Sequence, residues 1–173
     1  MSLFFEKGRP VALALVLAFA CDVAQAGALA GEWRFGTDDG LVTASLHGTN
    51  KLITGGGALS YSPVLTIACR ADGDPRWTEW LQLNDGVSAS RKITMSVTVD
   101  DGGKFDESWS VGSRGRMLVR DGADGIKRLV PASRLSLSWR FGLLSGRGQA
   151  DFDLAGLEEA VEQIAGSCRT DPP

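Results

Sequence analysis

Histidine occurs once in this sequence, at His47, and cysteine three times. A structural zinc centre takes about four Cys, His or carboxylate ligands, so this supply argues against a dedicated metal site. A Ser-His-Asp or Cys-His catalytic group could draw only on His47, and no Gly-x-Ser-x-Gly context accompanies it. The plain reading of His47 is a strand-end residue. Positive charge is not in excess either. The formal net charge is −3, which argues against a nucleic-acid binder held by bulk charge. The Asp-Gly pairs are numerous, but no Asp-x-Asp-x-Asp-Gly loop with a closing Glu makes them a calcium motif. The triplet Gly55-Gly56-Gly57 is too short for a phosphate loop and lacks the Lys-Ser/Thr that follows one. No cofactor is therefore expected.

Long apolar runs are also missing, apart from VALALVLAFA at residues 11–20. That run is too short for a membrane span in the mature chain. It follows Lys7 and Arg9 and precedes the small-residue site Ala24-Gln25-Ala26. This is the layout of a secretory signal peptide over residues 1–26, cleaved before Gly27 and directing the protein to the periplasm. A lipoprotein reading through Cys21 is disfavoured by the bulky Phe19. Removal of the signal leaves residues 27–173 as one mature domain. It also leaves two cysteines, Cys69 and Cys168, which read as one disulfide in an oxidising compartment, with two buried thiols as the other reading.

What is abundant is period-two alternation. KITMSVTV at 92–99 sets Ile93, Met95, Val97 and Val99 against Lys92, Thr94, Ser96 and Thr98. RLSLSWRF at 134–141 does the same with Leu135, Leu137, Trp139 and Phe141. Such segments are strands with one buried and one wet face, and sheets of this kind are usually antiparallel. Residues 63–69, 77–83 and 149–152 join them, with weaker candidates at 32–35 and 41–47. Asp-Gly pairs, Asp121-Gly122 and Asp124-Gly125 among them, supply turns. Only the C-terminus has helical spacing: Leu157, Ala160, Val161, Ile164 and Cys168 form one stripe, with Glu158, Glu159 and Glu162 facing out. The expectation is an all-β, antiparallel sandwich or partly closed barrel with one C-terminal helix at about 154–166, ended by Gly166.

Two features could carry binding. Arg114, Arg116, Arg120, Lys127, Arg128, Arg134 and Arg140 stand against only Asp121 and Asp124 in one stretch. That excess could face a glycan phosphate, a lipid headgroup or an acidic partner. The bland reading is a set of solvent-side residues that complement the acidic helix. Trp77 and Trp80 lie three apart in one strand and so face opposite sides. One of them could be exposed to stack on a sugar or anchor a partner. The bland reading covers both. The acidic residues of the last helix, with Asp151 and Asp153, read as solvated positions rather than a carboxylate pair across a cleft.

Several ordered pieces resemble a known family. Leu65-Thr-Ile-Ala-Cys69-Arg70 resembles its apolar strand ending in Cys-Arg. Val97 to Gly102 followed by Glu107-Ser-Trp109 is similar to its strand, Asp-Gly turn and Trp. Arg134-Leu-Ser-Leu, and Ala150-Asp-Phe152-Asp153-Leu154-Ala-Gly156-Leu157 leading to Cys168, resemble its later strand and closing helix. The family is the type VI secretion-associated VasI-like group of small periplasmic proteins. The resemblance implies an accessory envelope protein with no catalytic residues, and it implies the Cys69–Cys168 bond. The expected function is thus a non-enzymatic periplasmic binding or accessory protein. Its partner would be an envelope protein or a glycan. The alternative is an inhibitor or immunity-type protein acting on an envelope hydrolase or toxin.

Overall fold

Inward and outward residues alternate along nearly every long strand, and the sheet that results is antiparallel throughout. The computed structural model of the chain describes residues 32–54, 57, 59–71, 76–89, 91–142 and 146–173. The expected signal segment 1–26 with Cys21, the Asp72-Gly73 turn and Gly55-Gly56 lie outside these residues.

The strands are β1 (Arg34–Asp38), β2 (Leu41–His47), β3 (Leu52–Ile53), β4 (Ser60–Tyr61), β5 (Val64–Arg70) and β6 (Arg76–Gln82). They continue with β7 (Lys92–Val99), β8 (Phe105–Gly112), β9 (Met117–Asp121), β10 (Arg134–Arg140) and β11 (Arg147–Asp153). Helix α1 spans Ala123–Leu129 and α2 spans Leu157–Cys168. Nine strands form one sheet in the order β1-β2-β5-β6-β9-β8-β7-β10-β11, and β3 pairs with β4 separately. The large sheet curls into a half-barrel, the second of the two expected architectures.

The segment after β2 reaches the edge strand at the far end of the sheet, β11, and forms a seam with it. Just beyond β2, the Thr49 amide donates to the Asp151 carbonyl at 2.7 Å. The Asn50 side chain donates from Nδ2 to the Gln149 carbonyl at 2.8 Å, and its Oδ1 accepts the Asp151 amide at 2.9 Å. Asn50 thereby gives the edge of β11 what a neighbouring strand would supply. Trp33 adds a bond from Nε1 to the Ala155 carbonyl at 3.0 Å.

The inside of the curl holds the core. Ala44 and Leu46 from β2 meet Leu65 and Ile67 from β5, and Met95, Val97, Leu137 and Phe152 line the other side. The stripe of α2 packs on β2 and β5 with Leu157, Ala160, Val161, Ile164 and Cys168 buried. Cys168 is bonded to Cys69 across a Cα–Cα distance of 6.3 Å, which pins the helix end to β5.

Two local expectations are corrected. The helix does not stop at Gly166 but runs to Cys168. It closes with Arg169 at φ 56° and Thr170 donating to the Ala165 carbonyl. This is a Schellman closure, and an exposed helical glycine costs only about 1 kcal/mol, too little to end a well-packed helix. Asp124-Gly125 is not a turn but the first half of α1, a helix that sequence periodicity did not indicate. Seven residues with two buried apolar side chains, Ile126 and Leu129, are too few to show a stripe.

Candidate functional site

The stretch of cations expected to act together is split by the fold into two groups and a scattered remainder. Arg120 on β9 and Arg128 on α1 belong to a semi-enclosed charged cluster with Glu79 of β6 and Glu107 of β8. Arg120 reaches Glu79 at 3.4 Å and Glu107 at 3.5 Å. Arg128 reaches Glu107 at 2.6 Å and lies 4.9 Å over the Phe105 ring. Trp109 donates its indole N–H to Glu107 at 3.1 Å. The register explains the meeting: Glu79 is paired with Arg120 across β6 and β9 and shares the inward face with Trp77 and Leu81. Helix α1 lies directly on the pair. A Cβ at Gly125 would collide with the Arg120 guanidinium and the Glu79 carboxylate, so the close approach needs a residue without one.

Glu79 is the buried member, with 1% of its side chain exposed. Burial pushes its pKa up from 4.5 to about 7, opposed by the Arg120 charge and reinforced by Glu107. Glu79 and Glu107 do not line the surface clefts described below. The cluster therefore bonds helix α1 to the sheet interior.

Arg114 and Arg116 form the second group, at the tip of the β8–β9 hairpin. Ser113, Arg114 and Gly115 all carry positive φ, at 46°, 57° and 85°. Left-handed backbone at two successive non-glycine residues costs about 1–3 kcal/mol each, and it persists only where the surroundings impose it. Here the connection between β6 and β7 does so. The Leu83 amide donates to the Arg116 carbonyl at 2.8 Å and the Val87 amide to the Gly115 carbonyl at 3.0 Å. Gly115 is buried so tightly that a Cβ would meet the Val87 carbonyl at 2.6 Å. The tip is thus a held, preformed shape that presents two exposed guanidinium groups. Shallow clefts of 390 Å³ and 430 Å³ flank it. One includes Gln82, Asn84 and Arg116, the other Ser88, Val111 and Arg114.

The remaining residues scatter. Lys127 is exposed on α1, and Arg134 pairs with Asp101 at 2.7 Å. Trp77 is inward on β6 with 7% of its surface exposed, so it is a core residue and offers no binding face. Trp80 is outward and half-buried between Thr66 on β5 and Val119 on β9. His47 ends β2 opposite Val64, and Glu158, Glu159 and Glu162 are exposed on α2.

Sequence reasoning missed the anionic half of the charged cluster. The available signal was the acid in the inward row Trp77, Glu79, Leu81, where an apolar residue belongs. It also missed that Lys92 and Arg147, distant in the chain, share a sheet face with Arg140. No protein family, no curated protein and no solved structure matches the chain.

Proposed function

We propose that the protein is a non-catalytic accessory or binding protein of the bacterial envelope, associated with type VI secretion, that takes an acidic protein partner at the β8–β9 tip. The observation that carries this reading is the pair Arg114 and Arg116. Both are exposed, neither has an ion-pair partner among the described residues, and both stand on a strained, immobilised turn. A preformed tip gives up little conformational freedom on docking, and its charges steer encounter with an acidic surface. The Cys69–Cys168 bond suits an oxidising, exported location. No helix among the described residues is long and apolar enough to cross a membrane.

The test is a crosslinked pull-down from envelope extract with tagged protein, wild type against Arg114→Glu/Arg116→Glu. Expected are secretion-apparatus components that disappear with the double reversal while the melting temperature holds. Equal recovery by both forms, or no specific protein, would overturn the tip as a docking surface. A single hydrolase or toxin in their place selects the inhibitor reading. That reading is favoured by the same held turn with two exposed arginines, which would dock on an enzyme at little conformational cost.

A further inference from the structure

The outward face of β7, β10 and β11 carries a second basic patch, separate from the hairpin tip. Arg140 and Arg147 stand directly opposite each other on β10 and β11. Like charges so placed destabilise a sheet unless something lies between them. Ser138 pairs with Ser96, and two residues further along β7 and β10 from this pair come Thr94 and Arg140. Thr94, Ser96, Ser138, Arg140 and Arg147 line a cleft of 160 Å³ together with Trp139. Lys92 follows Thr94 two residues on, on the same side of β7.

Among the described residues, the carboxylates on and beside these strands accept hydrogen bonds within the sheet and its turns. Asp106 accepts the Ser96 hydroxyl at 2.6 Å. Asp151 accepts the Ser136 hydroxyl at 2.6 Å and the Gln149 amide at 3.0 Å. Asp100 accepts the backbone amides of Ser133 and Arg134, both at 2.9 Å. Asp101 is paired with Arg134, and Asp153 accepts the Ala155 amide at 3.1 Å. Lys92, Arg140 and Arg147, by contrast, make no ion pair among the described residues. The hydrogen bonds orient these carboxylates toward other donors, and none of them turns to Lys92, Arg140 or Arg147.

From this facing pair of arginines beside a hydroxyl-lined cleft we infer a binding site for a phosphate-class oxyanion between Arg140 and Arg147. Two planar guanidinium groups can each present a forked pair of donors to one tetrahedral anion. The hydroxyls of Thr94 and Ser138 add neutral donors, since that of Ser96 is committed to Asp106. Bound charge between the two arginines removes their mutual repulsion. The cleft is well below the roughly 300 Å³ of an ordinary small-molecule pocket. It therefore admits a phosphate group while the rest of the ligand stays outside. The phosphate could be free in solution or carried on a lipid headgroup.

Backbone amide NMR titration with inorganic phosphate, and sedimentation with phosphatidylcholine vesicles with and without phosphatidylglycerol, distinguish these sources. Wild type is compared with Arg140→Gln/Arg147→Gln, with Arg114→Gln/Arg116→Gln as the control. The expected result is that the β10–β11 variant loses about tenfold or more in affinity for at least one probe, while the control variant does not. Response to inorganic phosphate identifies a free or solute phosphate. Response to phosphatidylglycerol vesicles alone identifies a headgroup. No binding to either probe, or equal losses in both variants, would overturn the site in favour of a diffuse basic surface. The variant should fold, because both side chains are exposed and its melting curve loses only a repulsion. The partner capture above depends on other residues and another probe, so either proposal can fail alone.

Discussion

Glu79 ionises against its surroundings. It is almost fully removed from water, has one close cation in Arg120, and shares the cluster with a second carboxylate on Glu107. A carboxyl whose pKa rises on folding, here from 4.5 to about 7, binds more protons in the folded state than in the unfolded one. Stability from this group is thus complete below pH 4.5, falls as pH rises toward 7, and is lowest above it. Glu79→Gln removes the titration. The melting temperature of that variant should change less between pH 5 and pH 8 than that of wild type. The difference in stability between the two pH values should amount to ~3 kcal/mol. Parallel pH profiles would show that the carboxyl is charged throughout. The position was legible in the sequence only as an acid in an inward row. Its partners were not, because Arg120 and Arg128 read as surface cations until β9 and α1 set them over Glu79 and Glu107.

Among the elements, the seam is the place where a short side chain substitutes for a strand. Asn50 both donates to and accepts from the backbone of β11, at Gln149 and Asp151. Asn50→Ala should cost about 1–2 kcal/mol, since it leaves one amide and one carbonyl of an edge strand without their partners. The Asp151 amide should exchange with deuterium faster while amides of β5 and β6 keep their protection. Unchanged exchange at Asp151 would mean that Thr49 alone holds the edge. The elements themselves follow local pattern closely where it is long: β7 matches the alternation of residues 92–99 and β10 that of residues 134–140. They depart from it where it is short. Helix α1 buries only two apolar side chains, Ile126 and Leu129, and its place is set by packing against β6.

For the whole molecule, the disulfide joins residues 99 apart, one near the end of β5 and the other at the end of α2. Closing a loop of that length restricts the unfolded chain by about 4–5 kcal/mol in the loop-entropy treatment. Cys69→Ser should therefore lower the melting temperature of the oxidised protein strongly, and reduction should remove nothing further from the variant. Equal melting temperatures of oxidised wild type and Cys69→Ser would show that α2 stays docked through its apolar stripe alone.

The sequence by itself determined the antiparallel strands, the inward identity of Trp139, the α2 stripe and the pairing of Cys69 with Cys168. These are local quantities: a period of two or of 3.6, and a count. Tertiary structure alone decided that the sheet curls into one half-barrel, that Arg120 and Arg128 turn inward, and that Arg114 and Arg116 ride on a left-handed turn. It also brought Lys92 to the face of Arg140 and Arg147. Strand order and register set those neighbours. They depend on contacts between segments far apart in the chain, which no window of local sequence contains.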